Sequence, residues 1–209
     1  MLATQTRIEL ELACDGSICD RVSMPLHRTL RRGYDVCSVM ELPESLEAWR
    51  AEHRTARKRA DRAARLGYEF STVQAHLHTE DLYAINVSLD ERQGRPMAPG
   101  YRVPPSPTPD PPYTCPRHAI RRYGVLSGSR LVAYLWLYRS GELALVSSIL
   151  GHGDHLRDDV MYLLVQGVVE REIDAGGFLV YNRHDSGTDG LRFFKERLGF
   201  RPVEVEWAP

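Results

Sequence analysis

Five side chains able to move protons or hold a reacting group fall at the C-terminal ends of two apolar segments: Ser148, His152 and His155 at one, Tyr181 and Asn182 at the other. Imidazole titrates near neutral pH, so either His152 or His155 has the intrinsic basicity to take a proton from an attacking amine. Each histidine alone fits an ordinary loop position as well. The grouping at two strand ends is what suggests a site.

The elements that must position these residues are legible nearby. Residues 143–150 are a near-continuous apolar run, the pattern of a strand buried on both faces. From 159 to 175 the residues Val160, Met161, Leu164, Val165, Val168, Val169 and Ile173 recur at spacings of three and four, which makes one helical stripe. Asp158 and Asp159 suit its first turn and Gly176-Gly177 its end. Residues 178–181 form a second buried strand. Such a strand-helix-strand unit pairs its strands in parallel through a right-handed crossover. The site is expected where the strands part, just past Leu150 and Tyr181. A short helix with Leu191, Phe194 and Leu198 on one face then stops at Gly199, before a last strand at 201–207.

Upstream, residues 7–13 and 34–42 read as strands, and Ser45 caps a helix predicted to run to Leu66. Between residues 50 and 65 seven cations face two acids, a local charge of +5 in a chain whose net charge is −1. That asymmetry suits either a solvated surface helix or contact with a phosphate-bearing ligand or nucleic acid, with Arg54, Arg57 and Lys58 as the contacting cations. A strand at 68–74 and a helix at 79–89 follow. Residues 96–116 hold nine of the 13 prolines and must be an extended loop. Alternating residues at 118–126 and 130–139 form a hairpin about Ser127-Gly128-Ser129.

Composition bounds the answer. With 209 residues, 43% hydrophobic and 26% charged, the chain suits one soluble globular core. Its apolar runs fall far short of the ~20 residues of a membrane span, and MLATQTRIELELA lacks the apolar block of a signal peptide, so a cytoplasmic protein is expected. Cys14, Cys19, Cys37 and Cys115 are too scattered for a disulfide framework. Cys14, Cys19, Cys115 and His118 have the types of a zinc site, but no second tight pair exists and no metal is expected. No nucleophile elbow, Walker loop, zincin motif or dinucleotide fingerprint is present.

The stretch Gly190 to Phe200 reads G-L-x-x-F-K-x-x-x-G-F. It resembles the C-terminal part of the GNAT N-acyltransferase superfamily, and within it the FemAB branch, whose members move amino acids from aminoacyl-tRNA. The order of elements from residue 68 onward also resembles that of GNAT proteins. The resemblance implies an α/β (α+β) fold: a mixed, mostly antiparallel sheet splayed between two parallel strands, with helices on both faces. Residues 1–67 are then an N-terminal extension packed on a 68–209 core.

It further implies a transferase moving an acyl or aminoacyl group from acyl-CoA or aminoacyl-tRNA, as co-substrate, to an amine on a peptide, nucleic acid or nucleotide-linked acceptor. CoA-dependent members hold pyrophosphate in a Q/R-x-x-G-x-G/A loop. Here Ser148, Gly151 and Gly153 keep both glycines and lose the first residue, and a helix-based alignment instead puts Asp158 at a glycine position, where a carboxylate repels pyrophosphate. Where many members carry a tyrosine acid, this chain has Lys195, able to stabilise an oxyanion. Arg92, Gln93 and Arg95 fall in the acceptor region. The implied roles are catalytic for Lys195, His152, His155 and Tyr181, and donor binding for Ser148, Gly151, Gly153 and Asn182. The rival reading is a non-catalytic module that binds nucleic acid or protein through residues 50–65.

Overall fold

A computed structural model describes residues 4–9, 36–107, 109, 118–184 and 187–208. Its strands are β1 (Thr4–Glu9), β2 (Val36–Glu41), β3 (Tyr68–Thr72), a small hairpin β4 (Glu91–Arg92) and β5 (Arg95–Pro96), then β6 (His118–Ser127), β7 (Arg130–Ser140), β8 (Leu143–Gly151), β9 (Phe178–Arg183) and β10 (Arg201–Ala208). The helices are α1 (Leu46–Glu52), α2 (Arg54–Arg65), α3 (Thr79–Val87), α4 (Val160–Glu172) and α5 (Asp189–Arg197).

Eight strands make one mixed sheet in the order β1-β10-β2-β9-β8-β7-β6-β3. β1 with β10 and β8 with β9 run parallel, and the other neighbours are antiparallel. The long hairpin and the strand-helix-strand unit thus form as their periodicities predict. β2, from the first part of the chain, lies between β9 and β10 and buries Cys37 and Val39.

Alternation sorts the side chains of β7. Leu135 and Leu137 pack with Trp49 of α1, Ala56, Ala60 and Ala63 of α2 and the apolar stripe of α4 on one face. Tyr134 and Trp136 pack with Leu82 and Ile85 of α3 on the other. Alanines on α2 let that helix lie close to α4, and they leave its long cations at the margins of the contact.

Where one helix is expected from Ser45 to Leu66, the structure has two, bent at His53 (φ −103°, ψ 54°). The backbone ladder passes through the bend, since His53 N donates to Trp49 O and Arg57 N donates to His53 O. The cause is tertiary. Trp49 Nε1 donates to Leu198 O at 3.1 Å in the core. The His53 ring occupies the space beside Gly199, where an added Cβ would lie 2.6 Å from Nε2.

The parting of β8 and β9 also differs from expectation. Their pairing ends at Leu145 and Val180, five residues before Leu150. Just beyond, Leu137 faces Val146 and Trp136 faces Ser148, so Ser147 is an extra residue that bulges β8. A bulge bends its strand and sharpens its twist, which carries β8 away from β9.

Candidate functional site

The gap between β8 and β9 begins at the Ser147 bulge and opens toward the loop after Gly151. Ser147 Oγ donates to Trp136 O at 3.1 Å, which fixes the bulge. Ser148 stands on one bank, partly exposed. Tyr181 stands on the other, and the side chain of Asn182 lies outside the described residues.

Beyond β8 the chain makes a 3₁₀ turn, Gly153–Asp158, that brings His152 and His155 together, their ring centroids 5.5 Å apart. His155 Nδ1 lies 2.7 Å from the Tyr68 hydroxyl, and that hydroxyl donates to Asp158 Oδ2 at 3.0 Å. Burial, with His152 adding to it, holds the His155 imidazole below its ordinary pKa of 6.5. Burial also pushes the Tyr68 hydroxyl up, as does its bond to Asp158. His152 and His155 border a cavity of about 300 Å³ that Ala84, Ser127, Arg130, Leu131 and Val132 complete. The sequence singles out both histidines but not Tyr68, a strand residue 87 positions away.

The start of α4, where a phosphate-binding helix would offer bare N–H groups, carries the chain's own carboxylates. Asp159 takes a left-handed conformation (φ 65°) and is nearly buried. Arg59 Nη1 donates to its Oδ1 at 2.9 Å and Arg62 Nη1 to its Oδ2 at 2.8 Å. Arg62 also donates to Arg157 O at 2.9 Å and lies 3.8 Å from Asp158.

The two loop glycines are likewise engaged from within. A Cβ on Gly151 would meet Met161 Sδ at 2.6 Å, and one on Gly153 would meet Leu89 Cδ2 at 2.9 Å. Gly153 N donates to Ser88 Oγ at 3.0 Å, and the same oxygen accepts from Arg92 Nη2 at 3.0 Å. Arg92 therefore ties α3 to this loop, and its Nη2 also reaches Ile85 O at 3.0 Å. Burial lowers its pKa.

Lys195 is fully buried. Its Nζ donates to Arg183 O at 2.8 Å and sits 4.8 Å from the centroid of the Tyr181 ring. Burial pushes the Tyr181 hydroxyl up. The β4–β5 tip, with Gln93 and Gly94 both at positive φ, brings Gln93 against Gly187 ahead of α5, so this hairpin reaches from the end of α3 to α5. Arg95 is exposed.

Three of the seven cations between 50 and 65 are committed: Arg50 to Asp61 at 2.7 Å, and Arg59 and Arg62 to Asp159. Arg54 and Lys58 are exposed and Arg57 is partly so, and none of the three is ion-paired among the described residues. No three His, Cys, Asp or Glu side chains gather as metal ligands among the described residues, and Cys14, Cys19 and Cys115 lie outside them. No described helix is long and apolar enough to cross a membrane.

No protein-family model and no curated protein matches this chain. Among solved structures it is similar to the C-terminal domain of a protein from Agrobacterium fabrum described as a lysylphosphatidylglycerol synthetase. The two are 14% identical with a TM-score of 0.55, over 86% of this chain and 62% of that one. L-PGS from Bacillus licheniformis matches at 12% identity over 86% of this chain and 62% of that one, with a TM-score of 0.46. A GCN5-related N-acetyltransferase from Kribbella flavida matches at 16% identity over 65% and 47%, with a TM-score of 0.41. This chain thus spans less than two thirds of each of these structures. At such identities the likeness is one of fold: an eight-stranded mixed α/β sheet, parted between two parallel strands, similar to the C-terminal domain of the Agrobacterium protein.

Proposed function

We propose that this chain is a transferase that moves an acyl or aminoacyl group from an activated donor to an amine, with an aminoacyl ester such as aminoacyl-tRNA as donor in preference to a CoA thioester. The observation that carries the donor preference is the start of α4: Asp159 already pairs with Arg59 and Arg62, and its charge with that of Asp158 opposes an incoming pyrophosphate. Gly153 N, which such a phosphate would need, is satisfied by Ser88. The Agrobacterium protein's name, which joins a lysyl group to a lipid, adds weight to an aminoacyl donor.

The gap supplies alignment. A neutral amine attacks the donor carbonyl carbon, the N–C bond forms, and the leaving oxygen or sulfur departs with its bonding pair and a proton. Past Leu145 the described part of β8 has no β9 partner, so backbone N–H groups around Ser147 and Ser148 can hold the oxyanion. Ser148 lies on the donor side, and Gln93 and Arg95 approach the acceptor. Lys195 and Tyr181 hold the β9 bank in place from beneath, and Arg92 holds the loop at Gly153.

Titration calorimetry with acetyl-CoA and with aminoacyl-tRNA, followed by transfer to a primary amine, tests this. Binding and turnover with aminoacyl-tRNA are expected. Tight acetyl-CoA binding with acetyl transfer would reverse the donor assignment. Unchanged turnover in Lys195→Ala would take that residue out of the mechanism. The rival module keeps one specific support, the uncommitted Arg54, Arg57 and Lys58. Nucleic-acid binding without turnover, abolished by changing all three to Glu, would favour it.

A further inference from the structure

Asn86, on the inner side of α3, is only 8% exposed, yet half of its amide is unused. The Tyr134 hydroxyl donates to its Oδ1 at 2.8 Å. That oxygen is the only acceptor this buried hydroxyl has among the described residues, which fixes the amide with Nδ2 on the other side. Nδ2 makes no hydrogen bond among the described residues and is not sealed from solvent. It borders a cavity of about 240 Å³ that Leu82, Arg122, Tyr134 and Trp136 also line. A buried donor left open to a cavity wants an acceptor brought from outside.

The walls say what kind of acceptor fits. Tyr134 and Trp136 stack with their ring centroids 4.6 Å apart, and the Arg122 guanidinium lies 5.0 Å from the centre of the Trp136 ring. No carboxylate lines the cavity among the described residues, and Arg122 is the one charged side chain that does. Arg122 also has a further partner, so Asn86 supplies the open hydrogen bond and Arg122 the positive field. Apolar walls, one bare amide donor and a guanidinium suit a small organic carboxylate.

Register relates the cavity to the gap. Arg122 faces Trp136 and Trp136 faces Ser148, so the three form one cross-strand row about 10 Å long, on the side of the sheet that α3 covers. The row ends at Ser148, on the bank of the gap. We propose that this cavity holds the carboxylate of the acceptor, an amino carboxylate whose amine stands several bonds away and reaches along the row to Ser148. The proposal rests on the transferase reading above and gives its acceptor a chemical class. Anchoring one end of the molecule at Asn86 and Arg122 orients the amine at the other end before attack.

The probes are Nα-acetyl-lysine, with a free carboxylate and a side-chain amine, and its amide, which lacks the carboxylate. In nitrogen-15 NMR titrations of the full chain, the Asn86 side-chain amide, assigned by its loss in Asn86→Asp, should shift with the acid. The amide should bind on the order of 10–100-fold more weakly. Asn86→Asp keeps an oxygen for Tyr134 and puts a like charge where the donor was, and Arg122→Gln removes the guanidinium. Each should shrink the preference for the acid in a chain whose circular dichroism is that of the parent. Equal binding of acid and amide, or an Asn86 amide that does not move, overturns the carboxylate site. In transfer assays the acid should exceed the amide in kcat/KM by a similar factor. Transfer to both probes at one rate overturns the site and leaves the transferase reading standing. A chain that binds the acid in preference and transfers to no amine from any donor overturns the transferase reading and leaves the site.

Discussion

Arg59 and Asp159, a hundred positions apart in the chain, meet in a 2.9 Å hydrogen bond that fastens α2 to the first turn of α4. With Arg62 on the other carboxylate oxygen, this clamp turns a surface that charge counting reads as a polyanion site partly inward. It also explains how Asp159 is held at a positive φ, where aspartate and asparagine are better tolerated than most residues.

Asp159→Asn keeps that backbone tolerance and removes the charge. Both arginines are about half exposed and regain water, which limits the loss to roughly 1–2 kcal/mol, or a Tm lower by about 2–8 °C. Thermal unfolding followed by circular dichroism measures it. An unchanged Tm would show that the clamp contributes nothing to stability.

Glu172 is a more demanding site. It is fully buried at the end of α4, where it accepts from Tyr123 at 2.6 Å, Arg121 at 2.9 Å and Arg139 at 3.1 Å. Arg139 in turn donates to the carbonyls of Ala175 and Gly176, which closes the helix end. Glu172→Gln leaves a buried guanidinium without its counter-charge, and a loss of about 3–5 kcal/mol is expected in urea unfolding.

Gly177→Ala should be costly for a different reason. The residue sits at φ +81°, and an added Cβ would lie 2.2 Å from the carbonyl oxygen of Glu142, a backbone atom that cannot step aside. The strand start there is pinned by the bond from Phe178 N to Glu142 O at 2.8 Å. A loss of at least about 2 kcal/mol is expected, and a variant as stable as the parent would mean that the turn after α4 is not as described.

The Cys37 thiol is pushed up to about 11, chiefly by burial in β2 and against the opposing pull of Lys195 and Arg183. Alkylation by iodoacetamide at pH 8, read by mass spectrometry of the Cys37 peptide, should be on the order of 100-fold slower in the folded chain than in denaturant. Equal rates would contradict a buried Cys37.

Acid should weaken the fold through two histidines. Burial lowers the proton affinity of both His53 and His155 below the value of 6.5 that they have in an unfolded chain. The unfolded chain therefore takes up protons first as the pH falls below 6.5. Stability is full above that value and declines until the pH passes the depressed folded values. Urea midpoints at pH 7.5 and 5.5 should differ less in the double variant His53→Gln/His155→Gln than in the parent. An undiminished difference would assign the acid sensitivity to carboxylates.

Local pattern alone determined much of this protein. The apolar run of β8, the three-and-four stripe of α4 and the alternation of β7 specify their elements within three residues, because each is written in the period of its own side chains. The parted parallel pair and the two histidines beyond it follow from that order of elements. Tertiary structure alone decided that β2 lies between β9 and β10, that the helix bends at His53, and that the strands part at Ser147. It alone paired Arg59 and Arg62 with Asp159, and Tyr68 with His155. Periodicity records which face of an element is buried, not which distant element will bury it. Ion pairs and hydrogen bonds between residues 87 to 100 positions apart are chosen only when the chain closes on itself.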